Sequence, residues 1–312
     1  MNRQLQCFQS VTCQHLIPVP GQFFGVLLQI IFHCAECDLK KHRHLLLEDN
    51  RFPLERDATN ACRLLDFGTK GSGQTPYSRF GDGRLTLKGG VREVLATEML
   101  EALGVYTSKT FSLIETGEAL QRNDEPSPTR ACVLVRLSHS HIRFGTFQRL
   151  AFEQDAQAMA RLVSYCCRHL ESPASNPSGM DADPVAFFAR VVAHTARLVA
   201  DWTAAGFVHG VLNTDNMNVT GESFDYGPWR FAPSVDPEFT AAYFDQTGLY
   251  AFGRQAEAGA WNLARLGGCL TLLAPAEGLN DALATYTEHY QSALSDALFR
   301  RLGLQRSGAG DA

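Results

Sequence analysis

The spacing of apolar positions divides the chain into a mixed first half and a largely helical second half. In VREVLATEMLEALG, Val91, Val94, Leu95, Met99 and Leu103 recur at helical intervals and Gly104 suits the position just past the end, which predicts an amphipathic helix. On that wheel Glu98 falls inside the apolar stripe and Glu93 at its side. Residues 105–118 and 131–137 are rich in β-branched, aromatic and aliphatic side chains, which predicts two strands joined by the polar loop QRNDEPSPTR. Further helices are predicted over 151–170, 183–206, 256–273 and 279–302. The second of these has Asp183 as N-cap, Pro184 at the first helical position and Gly206 just past the end. Phe188, Val191, Val192, Thr195, Val199 and Trp202 give it one continuous buried face. SPASNPSGMDAD, before it, reads as a linker or surface loop.

The first 66 residues are the least patterned. FFGVLLQIIF is apolar but far too short to span a membrane, and only Arg3 precedes it where a signal peptide needs a basic cluster. A buried strand or helix is expected there. Cys34 and Cys37, followed by His42 and His44, resemble half a zinc site, but the spacing is much shorter than in a ββα finger and no metal is predicted. At 312 residues the chain is long enough for one large domain or two lobes, and 45% apolar with 20% charged residues is ordinary for a soluble globular protein. A net charge of −5 gives no reason to expect nucleic-acid binding. Nine scattered cysteines fit reduced thiols of an intracellular protein.

The candidate chemistry lies in FVHGVLNTDNMNVTGESFDYGPW, residues 207–229, which reads as a short strand, a polar loop, a tight turn and a second strand. Asp215, Asn216 and Asp225 supply a carboxylate, a carboxamide and a second carboxylate at the spacing of a kinase-type phosphoryl-transfer site. One Asp takes a proton from the attacking hydroxyl, while hard oxygen ligands hold Mg²⁺ against nucleotide phosphates. An Asn/Asp-rich surface turn is the plain alternative. Upstream, GTKGSGQTPYSRFGDGR mixes five glycines with Lys70, Arg79 and Arg84, as a backbone approaching phosphate does, although it is not a Walker loop and a flexible turn has similar composition. Either Glu93 or Glu98 could pair with Lys70. Arg136, at the end of the second predicted strand, and Arg143 suit phosphate oxygens through the guanidinium fork; a solvated edge arginine is the alternative. The pattern predicts an α+β, two-lobed protein-kinase-like fold: a β-rich N-lobe with one key helix, a mostly helical C-lobe, and the site in the cleft. The expected division is a divergent segment 1–66, an N-lobe 67–150, a C-lobe 151–303 with the catalytic loop, and a tail 304–312.

KGSGQTPYSRFGDGR, REVLATEML, RFGTF, GFVHGVLNTDNM, the DYGP turn and YAFGRQAEAGAWNLARL together resemble, in order and spacing, the selenoprotein O family of kinase-like protein adenylyltransferases. The resemblance covers residues 68–273. It implies a kinase fold that binds ATP in reversed orientation and transfers AMP to protein Ser, Thr or Tyr hydroxyls. It implies Asp215 as proton acceptor, and Asn216 and Asp225 as ligands of Mg²⁺ (or Mn²⁺). Lys70, Asp82, Gly83, Arg136, Arg143 and Asp225 would contact the nucleotide, with Glu93 the ion-pair partner of Lys70. The implied partners are ATP and protein substrates; the family resemblance allows a mitochondrial location without fixing one. Two departures stand out: residues 1–66 hold no second glycine-rich GDGR-type loop, and the C-terminal Cys-x-x-Cys or selenocysteine motif is missing. These predict a truncated or divergent member with weakened catalysis. The competing functions are a phosphotransferase that moves the γ-phosphate and a nucleotide-binding module that has lost turnover.

Overall fold

The computed structural model describes residues 65–76, 78, 81–170 and 182–305. The expectations for FFGVLLQIIF and for Cys34, Cys37, His42 and His44, and parts of those for the linker and the tail, lie outside the described residues. The element order is β1 (Asp66–Lys70), β2 (Leu85–Thr86), α1 (Leu87–Ala102), β3 (Lys109–Leu120), β4 (Thr129–Ser138), α2 (Phe144–Phe152), α3 (Ala156–His169), α4 (Pro184–Ala205), β5 (Phe207–Val208), β6 (Arg230–Phe231), α5 (Gln255–Leu270), α6 (Ala276–Ala284) and α7 (Tyr286–Leu302). The class is α+β, as expected. β1, β4 and β2 are neighbours in that order in one sheet, and β3 also pairs with β4.

The chain divides into two compact units: one takes Thr69–Val91 and Phe111–Arg136, and the other takes residues 65–68, Arg92–Thr110 and the described residues from Leu137 onward. In the first, β2 pairs antiparallel with β4, Leu85 opposite Cys132 and Thr86 opposite Ala131. The Cys132 thiol donates to the Thr86 carbonyl oxygen at 3.3 Å, and burial pushes its pKa up to about 11.

The second unit is built around α4. The Asp183 carboxylate accepts hydrogen bonds from the N–H groups of Val185 and Ala186 at 3.1 and 3.2 Å, Pro184 follows, and Gly206 closes the helix in the left-handed conformation, all as the sequence predicts. The six predicted face residues are buried, and Phe188, Val192, Val199 and Trp202 expose no surface. They join Phe144 and Phe147 of α2, Met159 of α3 and Leu263 of α5 in one core. Complete burial of each such large apolar side chain is worth about 1.5–3 kcal/mol. This core is the foundation of the loop that follows α4.

Four local expectations need correction. α1 starts at Leu87 and its predicted stripe is rotated: Leu95 and Met99 are 49% and 42% exposed, and Glu98 is exposed too. Of the predicted stripe Val94 is buried, and the rest of the buried face is Glu93, Ala96, Thr97 and Leu100, again at i, i+3, i+4 and i+7. Thr97 is tolerated there because its hydroxyl donates to the Val94 carbonyl oxygen at 2.9 Å. The helix predicted over 151–170 is two helices that begin earlier. Gln154 takes a left-handed φ of 55°, and Asp155 restarts the chain by accepting from the Ala158 N–H at 2.8 Å. The helix predicted over 279–302 is likewise broken at Thr285, whose hydroxyl donates to the Ala282 carbonyl oxygen at 2.7 Å. The strand expected before Trp229 lies just after it, as β6, with Phe231 opposite Phe207.

Asp183→Ala removes both N-cap bonds of α4 and should cost about 0.5–2 kcal/mol. At roughly 2–4 °C per kcal/mol for a domain of this size, thermal unfolding should show a clear drop in Tm. An unchanged Tm would mean that α4 is fixed by packing alone.

Candidate functional site

α4 hands the chain directly to β5 and the polar loop. The Trp202 ring lies 6.2 and 5.5 Å from the rings of Phe207 and His209, and its indole N–H donates to Ser223 Oγ at 3.0 Å. From α5, Gln255 accepts the His209 backbone N–H at 3.1 Å and donates to the Phe207 carbonyl oxygen at 2.9 Å. Asn262, two helical turns on, donates to the Leu212 carbonyl oxygen at 2.6 Å. A loop has few repeating main-chain partners of its own, so two buried amides on a rigid helix supply them.

The next residues form a 3-10 turn, Thr214–Asn216, capped by Asn213, whose Oδ1 accepts the Asp215 N–H at 3.0 Å. Asn216 donates its side-chain N–H to the Val211 carbonyl oxygen at 2.8 Å, which directs Oδ1, the potential ligand atom, to the opposite side. The Thr214 hydroxyl donates to Gln148 Oε1 on α2. Beyond the turn the backbone is laced to two other segments. The Phe144 N–H donates to the Met217 carbonyl oxygen at 3.0 Å, the Val219 N–H to that of Ile142 at 3.2 Å, and Arg143 bridges antiparallel to Asn218. The Ser223 N–H donates to the Tyr106 carbonyl oxygen at 2.9 Å, and the Ser108 N–H to that of Ser223 at 3.0 Å.

Asp225 follows in the left-handed region, with φ 65°. For a residue other than glycine this conformation costs of order 1–3 kcal/mol and persists only where the surroundings impose it. Here the Ser223 ladder precedes it and the buried Tyr226 hydroxyl is bonded to Thr107 Oγ1 behind it. The strain aims the Asp225 carboxylate at Arg143, whose guanidinium is 3.0 Å away and lies 5.2 Å from the centre of the Phe224 ring. Two residues after Arg143, Gly145 lies close against Asp215: a Cβ on Gly145 would stand 2.2 Å from Asp215 Oδ1. The short stretch 143–145 therefore touches both carboxylates of the predicted trio, and Asn216 adjoins Asp215.

Glu93 is buried, 1% exposed, on α1. Its neighbour Arg92 is locked to the turn after Asp225. Arg92 Nη2 donates to the Trp229 carbonyl oxygen at 2.7 Å, the Trp229 indole N–H donates back to the Arg92 carbonyl oxygen at 3.2 Å, and the guanidinium sits 4.9 Å over the ring. Arg143, Asp215, Asn216, Asp225 and Glu93 all belong to the second unit. In the first unit, Lys70 is the last residue of β1, and Arg136 is buried within β4, which runs two residues past it instead of ending there. Asp82 accepts the Arg84 N–H at 2.9 Å and pairs with Arg122 at 2.9 Å, and these contacts hold its carboxyl below the usual carboxylate range. Gly83, at φ 68°, receives the Gly73 N–H at 3.0 Å, and a Cβ there would stand 2.2 Å from the Gly73 carbonyl. Glycine at these positions lets the loop close on itself.

Sequence reasoning missed Gly145, Gln148, Gln255, Asn262 and the pair Glu222–His139. A signal existed for two of them: Gln255 and Asn262 are polar residues at i and i+7 within an otherwise buried helical stripe. Glu222 had none. It is buried in the loop between Asn216 and Asp225, where its carboxylate accepts the His139 backbone N–H at 3.0 and 3.1 Å, the His139 ring at 2.9 Å and the Thr220 hydroxyl at 2.9 Å. Burial by itself raises its pKa, but these hydrogen bonds outweigh burial and hold it below its ordinary value of 4.5. Among the described residues, no group of three or more His, Cys, Asp or Glu side chains is gathered to hold a metal ion. None of their helices is long and apolar enough to cross a membrane.

This assembly of loop, carboxylates and helix N-terminus lies inside the region matched by a family model, protein adenylyltransferase SelO, over residues 47–311. The chain belongs to that family. It is 54% identical to a protein nucleotidyltransferase YdiU of Synechocystis over 77% of this chain and 50% of the relative. Against the protein of that name in Trichodesmium erythraeum the identity is 50%, over 97% of this chain and 65% of the relative. For Synechococcus elongatus it is 51%, over 95% and 60%. The chain thus spans about half to two thirds of the length of the curated relatives it matches.

Because the Glu222 pKa is lower in the folded protein, its stabilisation is present above about pH 4.5 and is lost as pH falls through the lowered value. Glu222→Gln should cost about 1.5–3 kcal/mol at pH 7, and the gap to wild type should narrow below pH 4.5 in urea unfolding curves. A gap independent of pH would show that the charge of Glu222 is not what holds the loop.

Proposed function

We propose that this chain carries the nucleotide-handling site of a protein adenylyltransferase, which moves AMP from ATP to Ser, Thr or Tyr hydroxyls of protein substrates. The observation that supports it best is the placement of Asp215 against Gly145 and of Asp225 against Arg143 in a member of the SelO family. In this reading the chain has a kinase-like fold. Asp215 takes the proton of the acceptor hydroxyl as its oxygen bonds to the α-phosphorus and the bond to pyrophosphate breaks. Asn216 Oδ1 and the Asp225 carboxylate suit Mg²⁺ (or Mn²⁺), since they are hard oxygens on a backbone fixed from several sides, and two protein ligands are enough when phosphates and water complete the shell. The ion, when bound, neutralises phosphate charge. Lys70, Arg136 and Arg143 would hold the β- and γ-phosphates as the leaving group, with Asp82 and Gly83 on the nucleotide and Glu93 pairing Lys70. Arg143 would then serve twice, bracing Asp225 and facing phosphate.

With ATP labelled on either phosphate, label from the α-position and not the γ-position should become protein-bound in the presence of Mg²⁺ or Mn²⁺. Transfer of γ label alone would replace this reading with a phosphotransferase, and binding without transfer of either label would leave a nucleotide-binding module. Asp215→Ala should reduce turnover about 10²–10⁴-fold while nucleotide affinity persists. Asp225→Ala should abolish both turnover and metal-dependent nucleotide binding. Loss of nucleotide binding in Asp215→Ala would contradict its role as proton acceptor.

A further inference from the structure

We infer that Gly145 is a positioning residue for Asp215: the first turn of α2 acts as the stop against which the carboxylate is set, and it can do so only without a side chain at this position. The inference rests on the role just proposed for Asp215. Four observations carry it. A Cβ on Gly145 would stand 2.2 Å from Asp215 Oδ1 and 3.4 Å from its Cγ, a distance that side-chain carbons do not reach without displacement. The obstacle is the carboxylate end of Asp215, whose backbone the Asn213 cap holds in place, so a methyl group on Gly145 is accommodated by turning that carboxylate out of its position. Gln148, one turn along the same face of α2, takes the hydroxyl proton of Thr214, the residue before Asp215, in a hydrogen bond. The entry to α2 is in turn tied to the loop on the other side of Asp215, through Phe144 to Met217 and Arg143 to Asn218. α2 thus holds the chain on both sides of Asp215, at Thr214 and Met217, and the Asp215 carboxylate occupies the space that a methyl group on Gly145 would need.

Gly145 lies in helical backbone and is not one of the glycines that need positive φ. Alanine is the better helix former, so Gly145→Ala should be neutral or stabilising wherever nothing obstructs the methyl group. That gives a test that reads placement apart from activity. Gly145→Ala should lower Tm by several degrees in the wild-type chain, yet leave it unchanged or raise it in the Asp215→Ala background, where the obstructing carboxylate is gone. If Gly145→Ala alone does not fold, recovery of folding in the double variant carries the same meaning. Where the wild-type chain transfers AMP, Gly145→Ala should reduce kcat about 10²-fold, as a displacement near 1 Å does, with KM for ATP little changed. Equal loss of stability in both backgrounds, or a wild-type kcat in Gly145→Ala, would overturn the inference. A wild-type chain that transfers no AMP would count against the proposed function, while the stability comparison would still decide the role of Gly145.

Discussion

The arrangement of Asp215, Asn216 and Asp225 depends on main-chain hydrogen bonds that tie an irregular loop to its surroundings. A loop of the composition NTDNMNVTGESFD favours turns and local side-chain bonds, and alone it has no reason to hold two carboxylates in register. Here residues 142–144 run antiparallel to 217–219, and Tyr106 and Ser108 flank Ser223. Main-chain bonds cannot be swapped for solvent without exposing buried donors and acceptors, so each attachment opposes local opening. Between the two ladders, Glu222 fills the interior with a charge satisfied by His139 and Thr220. A buried charge is weak evidence for net stability, but removing one of the groups that satisfy it is costly, which suits a device that defines one conformation.

The same logic accounts for Asp225. Its left-handed backbone is unfavourable by itself, and the Ser223 ladder and the Tyr226–Thr107 bond impose it from both sides. The result is a carboxylate presented to Arg143. Arg92 and Trp229, bonded reciprocally and stacked, connect the end of that turn to the helix that carries Glu93. These contacts tie Arg92, and with it Glu93, to the turn after Asp225.

Much of this was legible in the sequence, and the limits have physical causes. The bounds of α4 could be read because Asp183, Pro184 and Gly206 each act locally, through caps and backbone preference. The Asp215–Asn216–Asp225 loop was marked out by two carboxylates and a carboxamide at kinase-type spacing. The rotation of α1 could not be read: periodicity alone favours burial of Leu95 and Met99, while Glu93, Ala96 and Thr97 take the interior because tertiary contacts outweigh side-chain hydropathy. The breaks at Gln154 and Thr285 were hidden for a related reason, since a single cap or hydroxyl bond decides them within apolar periodicity that continues on both sides. Gly145 was visible as a residue of RFGTF, but a glycine needed for what approaches it looks like any other glycine until its neighbour is known.

In the function proposed above, Asn216 and Asp225 form the metal-binding edge of a nucleotide site beside Asp215. Crystals grown with Mn²⁺ and a non-hydrolysable ATP analogue would locate the ion by its anomalous scattering. The peak should be bound by Asn216 Oδ1 and an Asp225 oxygen and shared with nucleotide phosphate, with Asp215 outside the coordination shell and facing the α-phosphorus. Nucleotide bound with its ion held by other side chains, or with no ion at Asp225, would contradict it.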